Sequence, residues 1–347
     1  MQDSLFPEEI ARADDGGVSP MATARTPRGQ PDVLPHPPDA EVTTLAAGLA
    51  RNVRLGTSSW GFPGWAGLVW ADKYSTTQLA RQGLAAYAHH PLLRTVSLDR
   101  AFYKPLDVGE YASLAAQVPD EFRFVVKAPS LVTDAMVREH GKGMRRNTDF
   151  LDPDIAVREF FQPALEGLGA KIGAMVFQLS PLPSSMLARI PDVLEGLARM
   201  LAALPSLQPI APDGVVAVEV RNAELVTPEL ADVLRNAGAT YCLGLHAKMP
   251  PIEAQLPMLR ALWPGPLVAR WNLHQLHGAY GYETAKDLYE PFDRLVDPDP
   301  GTRDALARVA TATAAAHHPV YITINNKAEG SAPLSVLALA EALNKRT

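Results

Sequence analysis

An α/β fold, a single (β/α)8 barrel behind a disordered N-terminal tail, is what this 347-residue sequence predicts, and three observations lead there. Eight short apolar runs recur at 53–58, 95–99, 122–127, 174–179, 215–221, 240–246, 267–272 and 320–326. Stretches with helical periodicity lie between them. Each run also turns polar at its carboxyl end. Alternation of this kind builds a parallel sheet covered by helices, and its count and length over residues 53–347 suit a closed barrel. A doubly wound open sheet is the runner-up, but the first run leads into Ser58-Ser-Trp-Gly-Phe-Pro-Gly-Trp65, which has no G-x-G-x-x-G fingerprint.

Taken in order, residues 1–50 hold seven prolines, eight acids and three arginines, and no sustained apolar period. Such a segment buries too little surface to offset its ordering entropy, so it reads as a tail with at most a little structure near Thr43–Leu49. Most of the net charge of −6 falls in it, leaving a nearly neutral body. A neutral body argues against a sequence-independent nucleic-acid binder. One cysteine, Cys242, excludes a disulfide framework. No apolar run reaches the ~20 residues of a membrane span, and the first residues lack a signal-peptide pattern, so a cytoplasmic protein is expected.

Beyond the first run, Ser75-Thr-Thr-Gln78 reads as a capping box ahead of Leu79, Ala80, Leu84 and Tyr87. Helices are also expected over 106–117, 155–168, 191–203, 302–317 and 334–344. Thr227 before Pro228 marks another start. Ile252–Leu262 is the weakest helix because prolines crowd it. The long insertions at 130–153 and 273–300 are the natural places for lids or substrate loops.

Val215-Val-Ala-Val-Glu-Val-Arg-Asn222 is the most informative strand. It is apolar on both faces until Glu219 and Arg221, which share the face of Val215 and Ala217. Buried charges cost several kcal/mol unless paired, so this end is either a structural ion pair or part of a site. Other strands end likewise: Lys127 lies on the face of Val125, Gln178 with Ala174 and Val176, and Arg270 with Val268. With the bulkier faces under the helices, all five side chains point into the mouth of the barrel, where such folds carry their chemistry. Gly330 and Ser331 ahead of the last helix offer either an anion site or plain capping. His246, His274 and His277 lack the H-E-x-x-H arrangement, and Asp99, Glu219 and His246 are the least unfavourable ligands for a metal that is not expected. No motif calls for a cofactor.

Together, Leu55-Gly-Thr-Ser-Ser-Trp-Gly-Phe-Pro-Gly-Trp65, Phe102-Tyr-Lys-Pro105, Phe122-Arg-Phe-Val-Val-Lys-Ala-Pro129, Phe177-Gln-Leu-Ser-Pro181, Ala217-Val-Glu-Val-Arg-Asn222 and Asn325-Asn-Lys-Ala-Glu-Gly-Ser-Ala-Pro333 resemble the DUF72 (YecE-like) family. That family has a TIM-barrel fold and no established activity. By position, the resemblance assigns its recurrent polar residues to Trp60, Tyr103, Lys127, Gln178, Glu219, Arg221, Arg270, Asn326 and Glu329. The chain departs from the pattern at Ser97, where the family has a glutamate, at Asp99, where it has an amide, and at Arg270-Trp-Asn-Leu273, where it has Arg-Leu-His-Gly.

The leading expectation is an enzyme acting on a small anionic metabolite, phosphorylated or sugar-like. Arg221, Arg270 and Lys127 would hold the anion, with Trp60, Tyr103, Gln178, Asn326 and Glu329 as further binding residues. Glu219 would be the general acid or base, Lys127 a base or Schiff-base nucleophile, and Asp99 a third catalytic candidate. The alternatives are a barrel that binds or cleaves nucleic-acid phosphodiesters and a ligand-binding barrel without catalysis.

Overall fold

The structure is a computed structural model and describes residues 32–139, 143–278 and 280–346. Among these, ten strands form: β1 (Val53–Thr57), β2 (Leu93–Leu98), β3 (Arg123–Lys127), β4 (Met136–Glu139), β5 (Gly143–Arg146), β6 (Ile172–Leu179), β7 (Val215–Val220), β8 (Thr240–Leu245), β9 (Leu267–Trp271) and β10 (Val320–Ile324). Eight of them pair in parallel as β1-β2-β3-β6-β7-β8-β9-β10, and β10 returns to β1 to close the barrel. The eight apolar runs are these strands. The other two, β4 and β5, pair antiparallel as a hairpin inside the 130–153 insertion. Its second strand is exposed along its whole length, so no apolar alternation announced it.

Alternation divides the barrel residues into two cores. Val125, Ala174, Val176, Ala217, Cys242, Val268 and Tyr321 pack against one another inside the barrel. Phe124, Val126, Met175, Phe177, Val218 and Val220 join the separate layer beneath the helices. Size sorts the faces because the lumen is narrow and the helix layer is not. At the amino end, Arg54 and Arg123 both reach the Asp213 carboxylate, at 2.8 and 2.9 Å, and the Tyr321 hydroxyl donates to the Asp213 carbonyl. These groups floor the lumen. Between β1 and β2 the register shifts at Gly56, where a Cβ would stand 1.8 Å from the Thr95 carbonyl oxygen. Only glycine permits that approach.

The helices start where their caps direct. Ser75 Oγ accepts from Gln78 N, Thr227 Oγ1 from Leu230 N, and Asp107 with Glu110 forms a capping box. Ile252–Ala261 is helical despite Pro257, since Ile252 and Met258 gain burial there. The 273–300 insertion contributes a further helix, Tyr282–Tyr289. No described helix is long and apolar enough to cross a membrane.

Part of the expected tail is not a tail. Residues 1–31 lie outside the described residues, but 33–49 pack on the barrel. Leu34 N donates to Tyr74 Oη, and His36 N to the Val69 carbonyl. Helix Ala40–Gly48 lies on helix Ala332–Asn344, with Arg94 Nη2 and Asn344 Nδ2 donating to its carbonyls. The compact unit therefore begins at Val33. Prolines and alanines hid this segment, because it is held largely by backbone hydrogen bonds that leave no periodicity.

A chain starting at residue 51 loses the buried Val33, Ala46 and Leu49. Their burial is worth about 2–4 kcal/mol. It should melt several degrees below a chain starting at residue 32, and equal melting temperatures would show that the segment contributes nothing.

Candidate functional site

The carboxyl ends of β2, β3, β6, β7 and β9 bring five of the sequence-predicted residues together around Arg270. Its guanidinium spans the lumen. Nη1 donates to Glu219 Oε2 at 2.6 Å and to Gln178 Oε1 at 2.9 Å, while Nη2 donates to both oxygens of Asp99 at 2.7 and 2.8 Å. Gln178 and Glu219 stand opposite each other in the β6–β7 register, so one guanidinium nitrogen meets both. Arg221 Nη2 donates to the same Gln178 oxygen and lies 2.7 Å from Glu219 Oε1. Ser97 Oγ donates to Asp99 at 2.6 Å. Gly244 leaves room for this array, since a Cβ there would come within 3.2 Å of Glu219 Oε1.

These pairs hold Glu219 and Arg270 in their charged forms. Burial pushes the Glu219 carboxyl up, but Arg221 and Arg270 outweigh it and hold it below the usual carboxylate range. Burial likewise works against the Arg270 guanidinium, and Asp99 with Glu219 raises it above its ordinary value. Two carboxylates face two guanidinium groups, and the pairs balance.

Lys127 is the surplus cation. Its Nζ sits 3.5 Å from the centre of the Phe102 ring and, among the described residues, has no hydrogen bond or ion pair. Burial pushes its amine down to about 7, opposed by Asp99 and reinforced by Arg270 and Arg221. Around it, three buried donors also lack a hydrogen-bond partner among the described residues: Gln178 Nε2, Arg221 Nε and Arg270 Nε. Glu219 Oε1 is likewise without a hydrogen-bond partner among the described residues, although Arg221 Nη2 lies 2.7 Å away. Unmade buried hydrogen bonds cost about 1–3 kcal/mol each, so three donors against one acceptor leave this end of the barrel short of acceptors.

The other sequence-predicted residues fall elsewhere. Glu329 is fully buried away from Arg270, accepting from Asp299 N at 2.6 Å and pairing with Arg303 at 3.2 Å. It fixes the start of helix Pro300–Ala315. Asn326 Oδ1 accepts from Trp65 Nε1 and from Ala332 N, so it caps the last helix and takes a donor that an anion would need. Trp60 is buried with its Nε1 donating to the Leu79 carbonyl. Tyr103 stands half-exposed at the rim, edge-on to Phe102. His274 and His277 belong to the network of Tyr289, Asp297 and Asp299. His246 is neutral, pushed down to about 3 by burial and by Arg221.

Three residues missed by sequence reasoning border the cluster. Burial pushes the Asp134 carboxyl up, with Lys127 among the charges acting on it. Tyr282, on the insertion helix, accepts from Asn325 Nδ2, and Asp99, Arg221 and Arg270 all act on its hydroxyl. Lys327 Nζ sits 4.0 Å from the Tyr282 ring centre, and burial pushes its amine down to about 8. Asp134 and Tyr282 lie in insertions, where no strand period could assign a face.

A closed parallel barrel with a charged mouth at its strand carboxyl ends places the protein among the (β/α)8 barrels. Over residues 54–347 the sequence matches the family described as "Protein of unknown function DUF72", and the chain belongs to that family. No curated protein matches it. A DUF72 family protein from Thermotoga maritima MSB8 superposes with a TM-score of 0.52 at 19% identity, over 84% of this chain and 98% of that one. Another, from Enterococcus faecalis V583, gives 0.51 at 18% identity, over 84% and 95%. At such identities the likeness is one of fold.

The two basic residues should respond oppositely to removal. Arg270→Met strands Asp99 and Glu219 and should cost roughly 3–5 kcal/mol. Lys127→Met removes a desolvated amine and should stabilise the fold near neutral pH. The folded amine titrates at about 7 and the unfolded one near 10.5, so between these values the unfolded chain binds the extra proton. Wild-type stability therefore rises with pH across that window, and the advantage of Lys127→Met shrinks. Urea midpoints at about pH 6 and about pH 9 measure this; a gap that does not change with pH would remove the desolvated amine.

Proposed function

We propose that the chain is an enzyme acting on a small anionic metabolite, phosphorylated or sugar-like, bound at the carboxyl-end mouth of the barrel. The observation that carries this reading is Lys127: one cation beyond charge balance, unpaired among the described residues, beside three donors without acceptors. An anion would supply both the missing charge and the missing acceptors. Depth favours a small ligand over a polymer, since Lys127 and Arg221 are each less than a tenth exposed.

The roles divide by accessibility. Glu219 is fully buried, charged and engaged by both guanidinium groups, so it positions Arg221 and Arg270 and is a poor proton donor. Asp99 does the same from the opposite side of the lumen through its grip on Arg270. Lys127 is the group with two protonation states near neutrality, and it is the better acid or base.

Inorganic phosphate titrated calorimetrically is the direct test. Protonated Lys127 favours the anion, so affinity should be highest below about pH 7 and fall above it. Lys127→Met should weaken binding by about tenfold or more, the worth of one charge-assisted hydrogen bond. Phosphate affinity indifferent both to pH and to Lys127→Met would overturn the reading.

A further inference from the structure

We propose that Lys127 forms an imine with its ligand, which makes the substrate class a small aldehyde or ketone carrying a carboxylate or phosphate. This deepens the reading of the mouth as an anion site and rests on it. The geometry separates two tasks. Arg221 and Arg270 are paired and fixed, and each has an Nε–H without a hydrogen-bond partner among the described residues, so they can receive anionic or carbonyl oxygens without changing state. Lys127 is fixed differently. Its stem rises from the last residue of β3, and its Nζ rests on the Phe102 face rather than on a carboxylate. A lysine kept to hold charge is normally paired, because pairing keeps it protonated. Lys127 has no carboxylate paired with it among the described residues. Although the Phe102 face and the field of Asp99 favour its ammonium, burial and the two guanidinium groups favour the neutral, nucleophilic amine.

The step balances without a redox partner. The neutral amine attacks the carbonyl carbon, forming the C–N bond, and the π pair moves to oxygen. That oxygen takes the proton the nitrogen sheds, giving a carbinolamine. Departure of the hydroxyl with one more proton releases water and leaves a protonated imine at the position of the former ammonium. A proton carrier borders the cluster. Asp134, whose carboxyl burial pushes up and on which Lys127 acts, has no guanidinium partner among the described residues and can relay the proton from nitrogen to oxygen. Gln178 Nε2, without a partner among the described residues, can receive the carbonyl oxygen. Besides Asp99, which is paired with Arg270, the charged groups acting on Lys127 are Arg221, Arg270 and Glu219, and none of these is free to exchange a proton near neutrality.

Reductive trapping tests it. The full chain is incubated with glyoxylate or dihydroxyacetone phosphate and then with borohydride, whose hydride converts an imine to a stable secondary amine. Intact mass and peptide mapping should show one adduct, on Lys127, fastest above about pH 7 where the amine is neutral. Lys127→Arg has no amine that can form an imine and should give no adduct at this position. A urea midpoint on the same variant confirms that it is folded. Adducts scattered over surface lysines, or none while glycerol 3-phosphate (which has no carbonyl) binds the wild type, would overturn the imine and leave the anion site standing. Neither adduct nor binding of glycerol 3-phosphate would overturn both.

Discussion

The grip of Asp99 and Glu219 on Arg270 is the interaction on which the mouth depends. A guanidinium only 1% exposed forfeits several kcal/mol of hydration, and short hydrogen bonds to two carboxylates and an amide are what make it tolerable. Those acceptors come from β6, β7 and the end of β2, on different sides of the lumen. Arg270 therefore works as a crossbar. The layer below is filled by Ala174, Val176, Ala217, Cys242 and Val268, small enough to let the crossbar lie flat above them. Gly244 beside it keeps the Glu219 carboxylate from being pushed out of line.

Once the crossbar is in place, the remaining charges have little freedom. Arg221 completes the ion pairing of Glu219 and shares Gln178 with Arg270, so both carboxylates are paired with guanidinium groups before Lys127 is considered. The Lys127 amine is left with Phe102 as its neighbour, and its protonation is set by competition between burial and the net field of the two pairs. A cluster assembled this way holds its guanidinium groups rigid and leaves one amine outside the pairs. That is the division of labour that acid–base or nucleophilic chemistry requires.

The barrel and its crossbar were legible in the sequence for one physical reason. A strand's period is fixed at two, so once small residues such as Ala174 and Ala217 mark the inner face, Gln178 and Glu219 must share it. The same argument gave Lys127 and Arg270. It failed where backbone leaves the sheet. Asn326 and Glu329 follow β10 and look like further polar strand-end residues, yet one caps the last helix and the other anchors Asp299 and Arg303. Loop residues have no period, and their side chains satisfy whichever backbone groups the turn exposes. Trp60 is ambiguous for a related reason: an indole beside a glycine-rich turn serves equally as a pocket wall or as a peg, and its Nε1 donates to the Leu79 carbonyl. Tyr282 and Asp134 were invisible because they reach the mouth from insertions.

The departure at Ser97 and Asp99 has a physical resolution in the same crossbar. Residues 97 and 99 lie two apart, on one face of β2 and its continuation, so either can present a carboxylate to the lumen. The family pattern that the chain resembles places the acid at the first position and an amide at the second. Here the order is reversed, and the acid at 99 still meets Arg270 with both oxygens while Ser97 fills the vacated position and donates to it. Charge balance across the lumen is thus preserved although the carboxylate has moved one strand step toward the rim. The shift has a consequence for Lys127, because the β2–β3 register, Ser97 opposite Val125 and Leu98 opposite Val126, brings residue 99 level with residue 127. Asp99 is the largest charge acting on that amine, so the exchange tunes Lys127 without touching it.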